Sequence, residues 1–426
     1  MQLQDLYKIF QAYPSIQTDT RQLKAGDIFF ALRGGNFNGN LFARQALEKG
    51  AAYAVVDEYE GPADERIIPV KDALTCLQEL AGYHRNQFSI PFIAITGSNG
   101  KTTTKELLHE VISASFITYT TQGNLNNHIG IPLTLLKVKA DAEMAIIEMG
   151  ANHQKEIEGY CRYTRPTHGL ITNCGKAHLE GFGGVEGIRK GKGELFDYLR
   201  GHGGTAFVMW DYDYLQEMSR GIKEVITYGT HDATVTGNVS SSRSFLEVSI
   251  SRGAAIDKIQ TQLVGAYNLP NVLAAVAAGK FFGVPDDRIK AAIEAYTPSN
   301  SRSQLIHKNG LQIILDAYNA NPTSMKAAVE NFARMDVPDK ILMLGGMMEL
   351  GPDSITEHEA LVALIGQYQW KEVVLVGGDF AHVQHPYHYF ENAAEAKDWF
   401  QSSVKAPASL LVKGSRSMKM EKVLED

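Results

Sequence analysis

The 426-residue sequence predicts an α/β fold in three domains, and three observations predict it. Short apolar runs rich in β-formers alternate with helical patterns along most of the chain, as parallel sheets flanked by helices require. One strand-to-helix junction, "AITGSNGKTTTKE" at 94–106, has the build of a phosphate-binding loop. A Pro-, Ser- and Asn-rich stretch, "YTPSNSRSQ" (Tyr296–Gln304), reads as a linker before a last group of strands.

The elements follow in order. Residues 1–83 form a small N-terminal α/β unit: "GDIFFALRGG" is a strand, "LFARQALEKGA" a helix with a glycine stop, and "AYAVVDE" a second strand. "DALTCLQELAGYHRNQ" is a helix leading onward. Residues 84–298 form the central unit, with strands "PFIAIT", "EMAIIEMG", "THGLITNCG", "GTAFVMWDYD" and "KEVITYG" in a mainly parallel, doubly wound sheet. "QKEIEGYCRY" and "GIRKGKGELFDYL" are helices between them. "ATVTGNVS" and "SFLEVSIS" alternate, with Leu246, Val248 and Ile250 on one face, and add a small antiparallel edge. "NLPNVLAAVAAGKFFGV" returns to helix. Residues 299–426 carry four apolar strands, "LQIILDAYNANP", "DKILMLGGMMELG", "EVVLVGGD" and "ASLLVKGSR", in a second open, Rossmann-like α/β sheet. Ligands of such sheets bind at the carboxyl ends of the strands.

The loop at 94–106 lacks the first glycine of the common G-x-x-x-x-G-K-[ST] pattern, because Ile95 occupies that position. Gly97, Gly100, Lys101 and Thr102 remain. Glycines between strand and helix let backbone N–H groups approach an anion, and the helix start adds unpaired donors and a positive dipole end. Lys101 can reach terminal phosphates, and the Thr102 hydroxyl can ligate magnesium. A variant, shortened cradle is expected.

The formal charge of −7 argues against a nucleic-acid partner, which demands a basic face. Three cysteines (Cys76, Cys161 and Cys174) form no C-x-x-C pair and no metal-ligand spacing, as in a reducing cytoplasm. The start, "MQLQDLYKIFQAYPS", lacks the basic and apolar regions of a leader, and no run approaches the ~18 apolar residues of a membrane span. A cytoplasmic, monomeric protein without membrane insertion is expected.

A phosphate loop alone fits a kinase, a GTPase, an ATPase or a ligase. Glu148 ends the buried run "MAIIE", where a carboxylate faces bound metal; the plainer reading is a solvated strand-end acid. His178 follows the strand "GLITN", and a lone histidine is most often structural. Lys192 in "RKGKGELF" reads at face value as a surface lysine on a charged helix.

"GSNGKTTTKE", "TQGNLNNHIGIPLTLL", "EMGANHQKEI", "THGLITNCGKAHLEGFGG", "KGKGELF", "GAYNLPNVLAA", "DAYNANPTSM", "GGMMELG" and "VKGSRSM" resemble, in order, the blocks of the Mur ligases of peptidoglycan synthesis. "TDTRQLKAGDIFFALRGGNFNGNLFA" resembles that family's uridine-diphosphate-binding block. The resemblance implies ATP and Mg2+ in the central domain, with UDP-N-acetylmuramoyl-tripeptide and D-alanyl-D-alanine as the molecules joined. It implies that Gly97, Ser98, Asn99, Gly100, Lys101, Thr102 and Thr103 cradle the phosphates, and that Asn271, Arg302 and Asp316 contact the nucleotide. Thr102, Glu148 and His178 would ligate magnesium. Lys192 would be carbamylated, an anion orienting a second magnesium; Lys101, Lys192 and His178 would be the catalytic set. Asp19, Thr20 and Arg21, with Asn124, Asn126 and Asn127, would lie along the UDP-sugar-peptide, and Asn319 and Asn321 near the dipeptide. One departure is Lys176, where the family usually has an acidic residue. The rivals are a folylpolyglutamate-type ligase, which shares the loop and chemistry but needs no UDP block, and a nucleotide-dependent switch protein.

Overall fold

The computed structural model of the protein describes residues 1–35, 37–299 and 301–425. Three parallel-dominated sheets and a two-stranded ribbon make the fold. The first sheet orders Ile16–Gln17, Ile28–Phe30, Tyr53–Val56 and Ile67–Pro69, all parallel. Ile28, Phe29 and Phe30 are all buried, so this sheet is covered on both faces. Phe29 packs with Ala43, Ala46 and Leu47 of the helix Ala43–Glu48. Phe30 joins Leu6 and Phe10 of the helix Leu3–Ala12.

The helix Ala73–Arg85 starts on an Asp72 cap, whose Oδ1 accepts from Thr75 N at 2.6 Å. It runs unbroken through the expected boundary at 83/84. Its far end is tied to the central unit. Arg85 donates to the carbonyls of Thr164 and Arg165 (2.9 and 3.0 Å) and lies over the Phe92 ring. His84 joins Tyr7 Oη and the Val138 carbonyl through its two ring nitrogens.

The central sheet has nine strands. Seven are parallel, in the order Val235–Ser241, Glu224–Gly229, Thr205–Met209, His168–Ile171, Phe92–Thr96, Met144–Glu148, Thr118–Thr120. Glu247–Arg252 and Lys258–Gln260 extend it antiparallel, and Leu246, Val248 and Ile250 are buried on one face as their alternation predicts. The strand before the phosphate loop lies between Met144–Glu148 and His168–Ile171, where the strand order reverses. That position opens a crevice at the carboxyl ends of three neighbouring strands.

The C-terminal sheet orders Gln304–Lys308, Leu311–Asp316, Ala408–Lys413, Lys340–Gly345, Glu372–Val376 and His388–Phe390. Only the first pair is antiparallel. The expected linker overlaps this sheet, because its last residue, Gln304, begins a strand paired to Leu315; Asn300 within it lies outside the described residues. Pairing to the apolar strand Leu311–Asp316 overrides the polar composition of that stretch. The helix Leu3–Ala12 and six short edge or flanking strands (16–17, 67–69, 118–120, 258–260, 304–308 and 388–390) are not foreseen by the sequence pattern. Strands of two to five residues carry too few positions to show a period.

Candidate active site

The shortened loop has a simple cause. Ile95, in the place of the missing glycine, is a fully buried strand residue paired to Glu148 and Leu170. The strand therefore runs to Thr96, and only Gly97, Ser98, Asn99 and Gly100 separate it from the helix Lys101–Ser113. Gly97 has φ 143°, and a Cβ there would lie 2.0 Å from Thr172 Oγ1. Gly100 has φ 80°, and a Cβ would lie 2.7 Å from Asn271 Oδ1. Both positions exclude side chains. The strand Ile171 ends braces the loop: Asn99 N donates to Asn173 Oδ1, and Thr172 Oγ1 donates to the Asn99 carbonyl. Asn173 and Thr172 are loop-bracing residues that sequence reading missed, because it read their block only as a strand end.

Lys101 turns its Nζ back to the carbonyls of Gly97 and Ser98, at 2.6 and 3.2 Å. Burial pulls its ammonium down to about 8, against the opposing pull of Glu148. Thr102, next in the helix, donates from Oγ1 to Glu148 Oε1 at 3.2 Å, and Asn126 Nδ2 donates to the same oxygen at 2.7 Å. Glu148 is 1% exposed, so the plain reading of a solvated strand-end acid fails. Its Oε2 is buried without a hydrogen-bond partner. A buried carboxylate oxygen left open in this way fits a cation. Among the described residues no three His, Cys, Asp or Glu side chains converge into a ready cage. A magnesium ion would need phosphate oxygens as well, which is its usual habit.

Lys192 is the clearest correction. It is not a surface lysine but is 1% exposed, within the helix Val185–His202. Its Nζ donates to the Ala151 carbonyl at 3.0 Å and lies 4.8 Å from the centre of the Phe182 ring. Burial pulls the ammonium down to about 7, and the charge of Lys101 adds to the shift. A signal for this burial is present in the sequence. Gly187 and Gly191 stand four apart in the helix, and a Cβ on either would strike Phe182, at 1.8 and 2.4 Å. Glycines at that spacing mark a face pressed against a neighbour, and Lys192 adjoins it.

The nucleotide candidates divide between the two sheets. Asn271 is buried at the base of the loop, accepting from Thr104 Oγ1 and donating to Asn268 Oδ1. From the end of the linker, Arg302 stacks on Tyr318 at 3.6 Å, with its Nε buried and unpartnered. Asp316 accepts from Ser303 N and, at 2.6 Å, from Lys413 Nζ. Lys413, 2% exposed and opposite Asp316 in register, is a third residue the sequence reading left without a role. The hydroxyls of Tyr267 and Ser303 meet at 3.0 Å across the joint between the two units.

The acceptor candidates are more scattered. Asp19 and Arg21 form a bidentate pair on an exposed loop of the first unit, and Thr20 beside them accepts from Lys49 Nζ through its carbonyl. The Arg21 guanidinium holds the Asp19 carboxyl down to about 2. Asn126 reaches Glu148, Asn124 is exposed, and Asn127 accepts from the backbone of Ile129 and Gly130. Asn321 caps the helix Pro322–Arg334 and donates to Asn99 Oδ1 of the phosphate loop at 2.7 Å. Asn319 spends its Oδ1 on the next backbone N–H. His178, at φ 54°, places Nδ1 2.5 Å from Glu349 Oε2 of the C-terminal unit. Ser98 and Thr103 complete the cradle, Ser98 donating to the Gly175 carbonyl and Thr103 partly buried in the first helical turn.

Comparison with known proteins follows the same layout. Residues 13–85 match the Mur ligase family catalytic domain, 95–279 the Mur ligase middle domain, and 301–416 the Mur ligase glutamate ligase domain. The chain is 34% identical over 425 residues to UDP-N-acetylmuramoyl-tripeptide–D-alanyl-D-alanine ligase of Bacillus subtilis, covering 96% of this chain and 92% of that one. The same identity, 34% over 430 residues with the same coverage, relates it to the Escherichia coli enzyme of that name. Among solved structures, MurF of Acinetobacter baumannii superposes with a TM-score of 0.87 at 30% identity, over 98% of this chain and 97% of that one. Matched by Mur ligase models in all three of its units and 34% identical to relatives over nearly its full length, this chain belongs to the Mur ligase family.

Proposed function

We propose that the protein is an ATP-dependent amide ligase joining D-alanyl-D-alanine to UDP-N-acetylmuramoyl-tripeptide. The products are the pentapeptide precursor of peptidoglycan, ADP and phosphate. The observation that carries this reading is the charge pattern around the loop. Glu148 keeps one buried oxygen open, and neither Lys101 nor Lys192 has a carboxylate at ion-pair distance among the described residues. Such a site is short of an anion and a cation together, as a bound metal–triphosphate supplies. Full-length similarity to ligases of this name supports the choice of acceptors.

A carboxylate is a poor electrophile, so the tripeptide carboxylate must first take the γ-phosphoryl group and become an acyl phosphate. The dipeptide amine then attacks the acyl carbon and phosphate leaves. Both steps gather negative charge, so the protein contributes positioning and electrostatics. Lys101 is the cation for the transferring phosphoryl group. Thr102, Glu148 and His178 would hold magnesium, which neutralises phosphate charge when bound. Asn271, Arg302 and Asp316 would hold the nucleotide. Asp19, Thr20, Arg21, Asn124, Asn126 and Asn127 would line the UDP-sugar-peptide, and Asn319 and Asn321 the dipeptide.

Lys192 would act as its carbamate. Only a neutral amine attacks carbon dioxide, and an amine pulled down to about 7 is neutral in a large fraction near neutrality. The carbamate would exchange an unpaired buried cation for an anion beside the metal. The three units 1–83, 84–298 and 299–426 then correspond to acceptor, ATP and dipeptide. No helix among the described residues is long and apolar enough to cross a membrane, and cytoplasmic residence is part of the proposal.

The test is phosphate release coupled to product mass. Release should require both UDP-muramoyl-tripeptide and D-alanyl-D-alanine, and the product should gain one dipeptide mass. Equal release from ATP alone would mark a nucleotide switch. Turnover on a folate glutamate acceptor in place of the UDP substrate would mark a folylpolyglutamate-type ligase.

A further inference from the structure

The loop that carries His178 is seated on the C-terminal unit at several points. Lys176 N donates to Thr323 Oγ1 at 3.0 Å, and Lys176 Nζ lies 2.5 Å from Glu357 Oε1. The residue that departs from the family pattern thus has its charge met by a carboxylate of the opposite unit. Glu180 N donates to the Glu349 carbonyl at 3.4 Å, and Glu349 Oε2 lies 2.5 Å from His178 Nδ1. His178 and Glu349 both have positive φ, 54° and 62°. Residues with side chains adopt that region at a cost, which the contacts around the pair offset.

Imidazole binds a metal through one nitrogen, and the group on the other nitrogen fixes the ring and its tautomer. For His178 the group beside Nδ1 is a carboxylate from a different sheet, in the loop after the strand Lys340–Gly345, at ion-pair distance and with no hydrogen-bond partner on that nitrogen. With Nδ1 against Glu349, Nε2 is the ring nitrogen left for a ligand.

We propose that Glu349 is the positioning residue for His178, so that docking of the C-terminal unit sets the metal ligand and metal binding favours docking. This rests on the reading of His178 as a magnesium ligand given above. Coupling of this kind is reciprocal: the factor by which docking tightens the ion is the factor by which the ion tightens docking. The inference assigns Glu349 no contact with substrate or metal.

The experiment uses the full chain, with Mn2+ as the probe, a non-hydrolysable ATP analogue present, and free Mn2+ read by electron paramagnetic resonance. Glu349→Ala should weaken Mn2+ about 10- to 100-fold, the usual cost of losing such a partner, and Glu349→Gln should fall between it and wild type. In a His178→Ala background, Glu349→Ala should cost less than twofold more, since there is no ring left to hold. Small-angle scattering of the Glu349→Ala variant should show less compaction on adding Mn2+ and analogue than wild type shows. Unchanged Mn2+ affinity in a Glu349→Ala variant of normal melting temperature would overturn the proposal. So would an equal loss with and without His178, which would make Glu349 a general docking contact. If Glu349→Ala alone misfolds, Glu349→Gln carries the same test. None of these readouts needs turnover, so a failed phosphate assay and a failed coupling remain distinct results.

Discussion

The central and C-terminal sheets both end their strands at the same crevice, yet they treat charge in opposite ways. At the central sheet Glu148 keeps an open oxygen, and Lys101 and Lys192 lie desolvated with their ammonium groups hydrogen-bonded to carbonyls. At the C-terminal sheet Asp316 and Lys413 sit opposite each other on neighbouring strands and close a 2.6 Å pair. The first arrangement is costly until a ligand arrives; the second is complete without one. On the proposed reading the difference separates a binding site from a scaffold that presents groups to it, and it gives Lys192 and Lys413 different expected phenotypes.

The largest effect is expected at Lys192. Lys192→Ala should lower turnover by about three to four orders of magnitude, equivalent to ~4–5.5 kcal/mol of transition-state stabilisation. Its thermal melt should still show a folded protein, so that lost turnover is not lost fold. Formate or acetate should restore part of the activity, whereas Lys192→Arg should stay dead, its guanidinium filling the space. Phosphate release against carboxylate concentration, beside a thermal melt, reads both. Full activity in Lys192→Ala would end the comparison.

Lys413→Met should show the reverse emphasis. It strands Asp316 as an unpaired carboxylate that is only partly exposed, so roughly 3–5 kcal/mol of stability should be lost. Adding Asp316→Leu should return most of it, because replacing both members of a buried pair is close to neutral. Denaturant melts of the two single variants and the double close the cycle. A double variant no more stable than Lys413→Met would show that the pair does more than compensate itself.

The smallest effect belongs to the joint between the sheets. Tyr267→Phe removes one hydroxyl contact to Ser303 and should cost about 1 kcal/mol of stability. Because Ser303 adjoins Arg302 and binds Asp316, KM for ATP should rise severalfold while kcat stays near normal. A change confined to kcat would detach Tyr267 from nucleotide presentation.

How much of this is legible in the sequence follows from the same contrast. The phosphate loop is contiguous, so its glycines, Lys101 and Thr102 announce themselves, and Glu148 follows from the apolar run it ends. Lys192 does not announce itself, since its neighbours Arg189 and Lys190 suggest a solvated face; burial comes from Phe182 and Ala151, brought in by the turn of the chain. Asp316 and Lys413 are 97 residues apart and meet only because their strands are neighbours in the sheet. Glu349 is less visible still. Its partner is on another sheet, and its conformation is one that composition does not foretell.

The helix Ala73–Arg85 has a mechanical consequence. One joint of this chain is a helix fastened at its far end by Arg85 and His84, and the other has no helix or strand among its described residues from 297 to 303. To bend the first, a helix and its fastening hydrogen bonds must break; the second is held by side-chain bonds such as Thr297 Oγ1 to Gln262 Oε1 and Tyr267 Oη to Ser303 Oγ. The second is therefore the softer joint, and the part before it is a ruler. On the proposed reading, the span from the uridine end to the phosphoryl group is set before ATP arrives. A peptide one residue short would then stop about 3.3–3.6 Å away from it, farther than a bond can form.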